Sequence, residues 1–133
     1  WIDLDCEVQK PLQKLFEYAD TPPGLGMVRD FDSILCDIEY TIYNSGVIPF
    51  RHHLPLVVDW ARNCIERNSV FKGDQEVFSA MIKEKNIPIA EIPPIYNWSR
   101  LQGENEETVI LHWHGIHGKT VIQGRINLDE LSF

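Results

Sequence analysis

The sequence predicts one α/β layered domain over residues 1–133, and three observations predict it. Short apolar runs such as LGMVRD and TVILHWHG alternate with amphipathic runs of helical period such as PLQKLFEYA and GDQEVFSAMIKEK, the pattern of helices layered on a sheet. The length of 133 residues suits a single hydrophobic core. No internal repeat, low-complexity tract or linker-like stretch interrupts the chain, so nothing divides that core.

Taken in order, residues 1–4 predict a short buried strand that ends in the acidic pair Asp3 and Asp5. Alternate residues of a strand point the same way, so the two carboxylates are expected on one side. They would repel there unless something positive lay between them. Pro11 opens a helix, PLQKLFEYA, with Leu12, Leu15, Phe16 and Ala19 on its inner face, and DTPPG ends it. LGMVRD is a strand; DSILCDIEYTIY, residues 32–43, is mixed in period and favours neither helix nor strand. YNSGVIPF reads as a turn feeding a strand, with Gly46 permitting close backbone approach.

LPLVVDWARNCIERN is the clearest helix, with Leu54, Val57, Val58, Ala61 and Ile65 at three-four spacing. GDQEVFSAMIKEK is the next, with Asp74 as N-cap and Val77, Phe78, Met81 and Ile82 facing inward. IPIAEIPPIYNW predicts a short strand and then an irregular proline-rich stretch, and TVILHWHG a strand that runs into a histidine-rich turn. Residues 119–133 leave room for a short helix.

Composition narrows the function. The net charge is −8 and no run of Lys and Arg exists, so a nucleic-acid footprint is excluded as an expectation. An acidic chain that handles an anionic ligand needs local help from a cation, a helix N-terminus or a few placed bases. Cys6, Cys36 and Cys64 form no CxxC pair, which argues against a disulfide framework or a zinc knuckle and makes a reducing, cytoplasmic compartment the expectation. No apolar run reaches transmembrane length and no signal peptide is visible. The chain begins with Trp1 inside a predicted strand, and a fragment of a longer protein is expected.

Several residues could carry chemistry. Asp3 and Asp5 are either a solvated strand end or a divalent-cation site, since oxygen ligands suit Mg²⁺ or Mn²⁺. LHWHGIHGK brings His112, His114 and His117 within one short stretch with Gly115, Gly118 and Lys119. It is either a surface turn rich in histidine or a metal and phosphate site. Three histidines suggest zinc, and two aspartates with one histidine suit Mn²⁺ better. Backbone N–H groups at the glycines, with Lys119, suit phosphate oxygens. Asn44, Ser45 and Gly46 are good turn formers, and Asp74 is a good cap; with Gln75 the same side chains suit sugar hydroxyls. Trp60, Trp98 and Trp113 are core residues or stacking platforms, and Trp98, beside the proline-rich stretch, is the best placed for a sugar ring.

The order of these pieces carries more than any one of them. An apolar start ending Asp-x-Asp, then KPLQKLF, NSGV, GDQ, YNW and HxHG with a following lysine resembles retaining glycosyltransferases of the GT-A fold, above all the family-eight group that includes glycogenin and bacterial galactosyltransferases. DLDCEVQKPL is also similar to the related DXD sugar-binding-region group. The resemblance covers essentially the whole chain. It implies a GT-A-type (nucleotide-diphospho-sugar transferase) mixed sheet with flanking helices, of which this chain is the C-terminal half, because the nucleotide-binding strands of such enzymes precede their Asp-x-Asp.

By the same resemblance, Asp3, Asp5 and His112 are the metal ligands, and the ion is Mn²⁺ or Mg²⁺ bridging the diphosphate of a nucleotide-sugar donor. Asn44, with Ser45 and Gly46, contacts the donor sugar. Asp74 and Gln75 line the catalytic pocket, and Gly115 and Lys119 hold the diphosphate. Lys119 lies one residue later than the family's Gly-x-x-Lys spacing, and the Pro-Trp that follows it there is absent. The implied reaction moves a hexose to the hydroxyl of a carbohydrate or other acceptor with retention of configuration. The alternatives are a non-catalytic carbohydrate- or protein-binding module of the same fold and a metal-dependent hydrolase.

Overall fold

The computed structural model describes residues 1–31, 43–71 and 73–125. Most of the stretch 32–43 that the sequence left open, with Cys36, lies outside the described residues, as does the tail beyond 125. The described residues form a small mixed α/β domain of four helices and two three-stranded mixed sheets. None of those helices is long and apolar enough to cross a membrane.

The chain does not open with a strand. Ile2 makes an isolated bridge to Val47, Asp3 N donates to Gly46 O, and Cys6 N turns back to Asp3 O. That turn throws Leu4 fully into solvent and breaks the alternation that would have set Asp3 and Asp5 on one side. The strand comes after the acidic pair: β1 is Cys6–Val8.

Helix α1, Gln13–Asp20, buries Leu15 and Ala19, with Leu12 and Tyr18 packed beside them. Phe16, predicted inward, is 59% exposed. The inner face is narrower than the apolar spacing suggested.

Strand β2, Gly26–Arg29, is buried at Gly26, Met27 and Val28. Its alternate residues feed two different cores, as a strand covered on both faces must. Val28 packs with Leu15, Val47, Ile92, Tyr96, Val109 and Ile110, and Met27 with Leu25, Ile48, Trp60, Val77, Phe78 and Met81. Val47 and Ile48 divide in the same way. β2 pairs antiparallel with β3, Tyr43–Asn44, and parallel with β4, Ala90–Glu91.

Helix α2, Pro55–Glu66, carries proline in its first turn. Its predicted stripe holds only in part: Leu54 packs on the core and Val57 is half-buried, whereas Val58 is 63% and Ile65 75% exposed, and Ala61 is exposed as well. The buried stripe is Leu56, Trp60 and Cys64. The helix is apolar on two faces, and the larger side chain decides between them. Trp60 stacks on Phe78 with ring centroids 4.7 Å apart, and its indole N–H donates to Asp74 O at 3.0 Å.

Helix α3, Asp74–Lys85, buries Val77, Phe78 and Met81 as its period predicts, with Ile82 half-buried beside them. Gly73 is its N-cap, and Asp74 is its first residue rather than the cap. Asp74 and Glu76 in the first turn and Lys83 and Lys85 in the last complement the helix dipole.

A 3₁₀ turn, Pro94–Asn97, leads into β5, Trp98–Ser99. β6, Ile110–His112, lies between β1 and β5 in the other sheet, antiparallel to the first and parallel to the second. The predicted histidine turn is short: helix α4, Gly115–Arg125, begins within it.

Candidate functional site

The register of the β1–β6–β5 sheet sets Cys6 on one side of His112 and Ser99 on the other. Directly opposed residues of an antiparallel pair share a face, so the Cys6 thiol and the His112 ring lie together. Asp5 is held just before β1 by Trp113 N, which donates to Asp5 O at 2.8 Å. Its carboxylate then reaches inward, with Oδ1 3.4 Å from His112 Nε2 and Oδ2 3.6 Å from Lys119 Nζ. Asp5 is 8% and His112 5% exposed. One donor atom from each of Asp5, Cys6 and His112 lies within 4.8 Å of the others, the spacing at which a single ion is shared.

Asp3 stands outside that trio. Its carboxylate accepts the Trp1 indole N–H at 2.7 Å. The expected Asp3, Asp5 and His112 set is therefore present as Asp5 and His112, and Cys6 takes the third place by geometry. His117 is exposed on α4, and His114 Nε2 is bonded to Ser99 Oγ at 2.6 Å, so the three histidines do not converge.

Behind His112 runs a chain of two amides, Asn97 buried and Asn44 half-buried. Asn44 Nδ2 donates to Asp30 Oδ1 at 2.8 Å, Asn97 Nδ2 donates to Asn44 Oδ1 at 2.7 Å, and Asn97 Oδ1 meets His112 Nδ1 at 2.9 Å. Asn44 Oδ1 also accepts from Gly46 N at 2.8 Å. An ionised carboxylate only accepts. Starting from Asp30, each amide has one orientation that satisfies its neighbour, and the last presents an oxygen to His112. A proton on Nδ1 meets that oxygen, and Nε2 faces Asp5. Burial pushes the His112 pKa below its ordinary value, and the nearby His114 adds to that; the Asp5 charge and its bond to the ring oppose both. A carboxylate oxygen and an imidazole nitrogen thus face each other in a buried place, which suits a shared proton or a bound cation.

Cys6 is a thiol rather than a thiolate here. Burial, reinforced by the charges of Asp3 and Asp5, pushes its pKa up to about 12. Its Sγ lies 3.8 Å from Gly46 O.

The other sequence candidates divide. Asn44 and Ser45 stand beside the site. The Asn44 amide is engaged on both ends by protein groups, and Ser45 N donates to Gln75 Oε1 at 3.4 Å, which brings the first turn of α3 to the same place. Gly46 lies so close to His112 that a Cβ would come within 2.4 Å of Cε1. Lys119 reaches Asp5 from α4. Gly115 opens that helix at φ +81°, a conformation glycine adopts without strain. The Asp74 side chain is exposed, and its charge raises the pKa of Cys64 along with burial; the trio does not include it.

One space borders the centre, and a second lies on the other face of the β1–β6–β5 sheet, where Leu111 and Trp98 alternate with His112 and Ser99. A cavity of about 30 Å³ is lined by Asp30, Asn44, Asn97, Ser99, His112 and His114 among others; that is room on the scale of a water molecule, not a sugar ring. A groove of about 550 Å³ on the surface is lined by Gln9, Trp98, Arg100, Glu104, Leu111 and Trp113 among others. Trp98 belongs to that groove, with its indole N–H donating to Gly103 O at 2.9 Å.

Sequence reasoning missed Cys6, Asp30 and Asn97. Asn97 stood in the singled-out YNW, one position from the tryptophan that drew attention, and the only local signal for it was its amide. No family model matches the chain, and no curated protein matches it.

Proposed function

We propose that this protein is a metal-dependent glycosyltransferase that moves a hexose from a nucleotide-diphosphate sugar to an acceptor hydroxyl with retention of configuration. One observation supports the reading above the rest: the Asp5 carboxylate and Nε2 of His112 face each other at 3.4 Å in a buried site. Those two groups, with Cys6 beside them, would hold a divalent ion, Mn²⁺ or Mg²⁺ in this reading. When bound, such an ion stabilises the negative charge that grows on a departing diphosphate.

The chain's own groups supply the rest. Lys119, 3.6 Å from Asp5 and largely exposed, brings a positive charge to the mouth of the site in an otherwise acidic protein. Gln75, half-buried and bonded through Oε1 to Ser45 N, is the polar side chain that would orient a sugar toward its acceptor in this reading. The Asp74 carboxylate is the group to test for a covalent intermediate in this reading.

The full-length protein, incubated with a panel of nucleotide sugars, is expected to transfer sugar only with Mn²⁺ or Mg²⁺ present. Asp5→Asn is expected to abolish metal-dependent donor binding in calorimetry. Unchanged binding by that variant overturns the ligand assignment. Release of free sugar with no acceptor requirement and no transfer replaces the transferase reading with a hydrolase.

A further inference from the structure

Asn97 is buried against the half-buried Asn44, and their polar groups are matched to one another and to their neighbours. Asn97 is 6% exposed, and both ends of its amide are engaged. Burying polar side chains is costly unless every donor and acceptor is matched. Here the matching has a direction. Asp30 accepts from Asn44, Asn44 accepts from Asn97, and Asn97 accepts from His112. Gly46 N donates to the same Asn44 oxygen, which prevents that amide from turning over without leaving Gly46 N unpaired.

We infer that Asp30, Asn44 and Asn97 are positioning residues: together they keep a proton on His112 Nδ1 and turn Nε2 to the space beside Asp5. The inference concerns the ring alone. Its consequence for metal affinity rests on the metal-dependent reading of the same site. It also reassigns Asn44, which the resemblance made a contact to the donor sugar, to the support of His112.

The relay explains two otherwise separate features. The NSG turn is built so that Asn44 and Gly46 act together, one through its amide and the other by leaving space for the ring. Asp30, which begins the relay, follows directly on β2, the strand buried in both cores, so the polarity of the chain is anchored on a rigid element.

The test is long-range ¹H–¹⁵N spectroscopy of the histidine rings in metal-free protein at neutral pH. The expected spectrum shows His112 protonated at Nδ1 and bare at Nε2. Asn97→Ala removes the acceptor and is expected to give a mixture of tautomers. Asn97→Asp keeps an acceptor opposite Nδ1 and is expected to retain the wild-type tautomer, a rescue that a packing role alone would not produce. Asp30→Asn, at the half-exposed end of the relay, weakens one of the two anchors of Asn44, the other being Gly46 N; it is expected to shift the ring toward the mixture by less than Asn97→Ala does, and it reports on the relay even if the Asn97 variants fold poorly. Mn²⁺ affinity is expected to fall about 10–100-fold in Asn97→Ala, the range seen when a ligand histidine loses its supporting partner. A wild-type ring protonated at Nε2, or an unchanged tautomer in both Asn97→Ala and Asp30→Asn, overturns the inference. Absence of Mn²⁺ binding to a wild-type protein with the expected tautomer overturns the metal reading and leaves the relay standing.

Discussion

Replacing Gly46 with alanine isolates the contact on which the site geometry depends. Gly46 is not in the left-handed region, so the backbone itself accepts a side chain; the obstacle is space. A Cβ there would lie 2.4 Å from His112 Cε1, 2.6 Å from His112 Nδ1 and 3.0 Å from Asn44 Oδ1. The ring cannot retreat freely, because Asn97 holds Nδ1 at 2.9 Å and Asp5 stands 3.4 Å from Nε2. Overpacking of this kind costs about 1–3 kcal/mol, and a displaced ring gives up about 1 kcal/mol more with its bond to Asn97. The expected loss is about 2–4 kcal/mol, or roughly 6–12 °C in Tm for a domain of this size.

Thermal and urea denaturation measure it, and the decisive comparison is the same substitution in a His112→Ala background. Without the ring, the two tightest contacts of an alanine at 46 are gone and Asn44 Oδ1 at 3.0 Å remains, so its cost is expected to fall below about 1 kcal/mol, giving a coupling of roughly 1–3 kcal/mol between the two positions. An unchanged Tm for Gly46→Ala, or the same penalty in both backgrounds, refutes the argument that Gly46 is glycine for the sake of His112.

Two further outcomes are expected. Burial holds the folded-state pKa of His112 below its ordinary value, so on acidification the unfolded chain takes up the proton first and stability is lost as pH falls below about 6.5. Urea midpoints in metal-free buffer between pH about 7 and about 5 check this, and His112→Gln is expected to flatten the dependence. Gly118→Ala would set a Cβ 1.8 Å from the carbonyl oxygen of Trp113 and 2.5 Å from its carbon. That backbone cannot yield as a side chain does, so α4 is expected to shift, with a larger fall in Tm than Gly46→Ala and weaker metal binding as Lys119 moves away from Asp5.

The parts that were readable along the chain are those decided by neighbours in sequence. α3 buries Val77, Phe78 and Met81 as its three-four period predicts, and β2 falls on the apolar run that announces it. Where two stripes competed, periodicity had no means of choosing. α2 offers Val58, Ala61 and Ile65 on one face and Leu56, Trp60 and Cys64 on another, and Phe78 on a different helix settles the matter by stacking on Trp60. Phe16 has the right spacing too, yet it is left 59% exposed among the described residues.

By itself the sequence determined that this chain alternates helices with strands, that it is acidic, and that its chemistry-bearing residues gather near its start and near position 112. Only the tertiary structure decided which of them meet. A turn at Leu4 sends Asp5 inward and Asp3 to Trp1, the β1–β6 register adds Cys6, and two amides reaching back to Asp30 orient the ring between them. Period and composition are local quantities. Strand register and hydrogen-bond direction are set between segments distant in the chain, and they exist only once the segments are packed together.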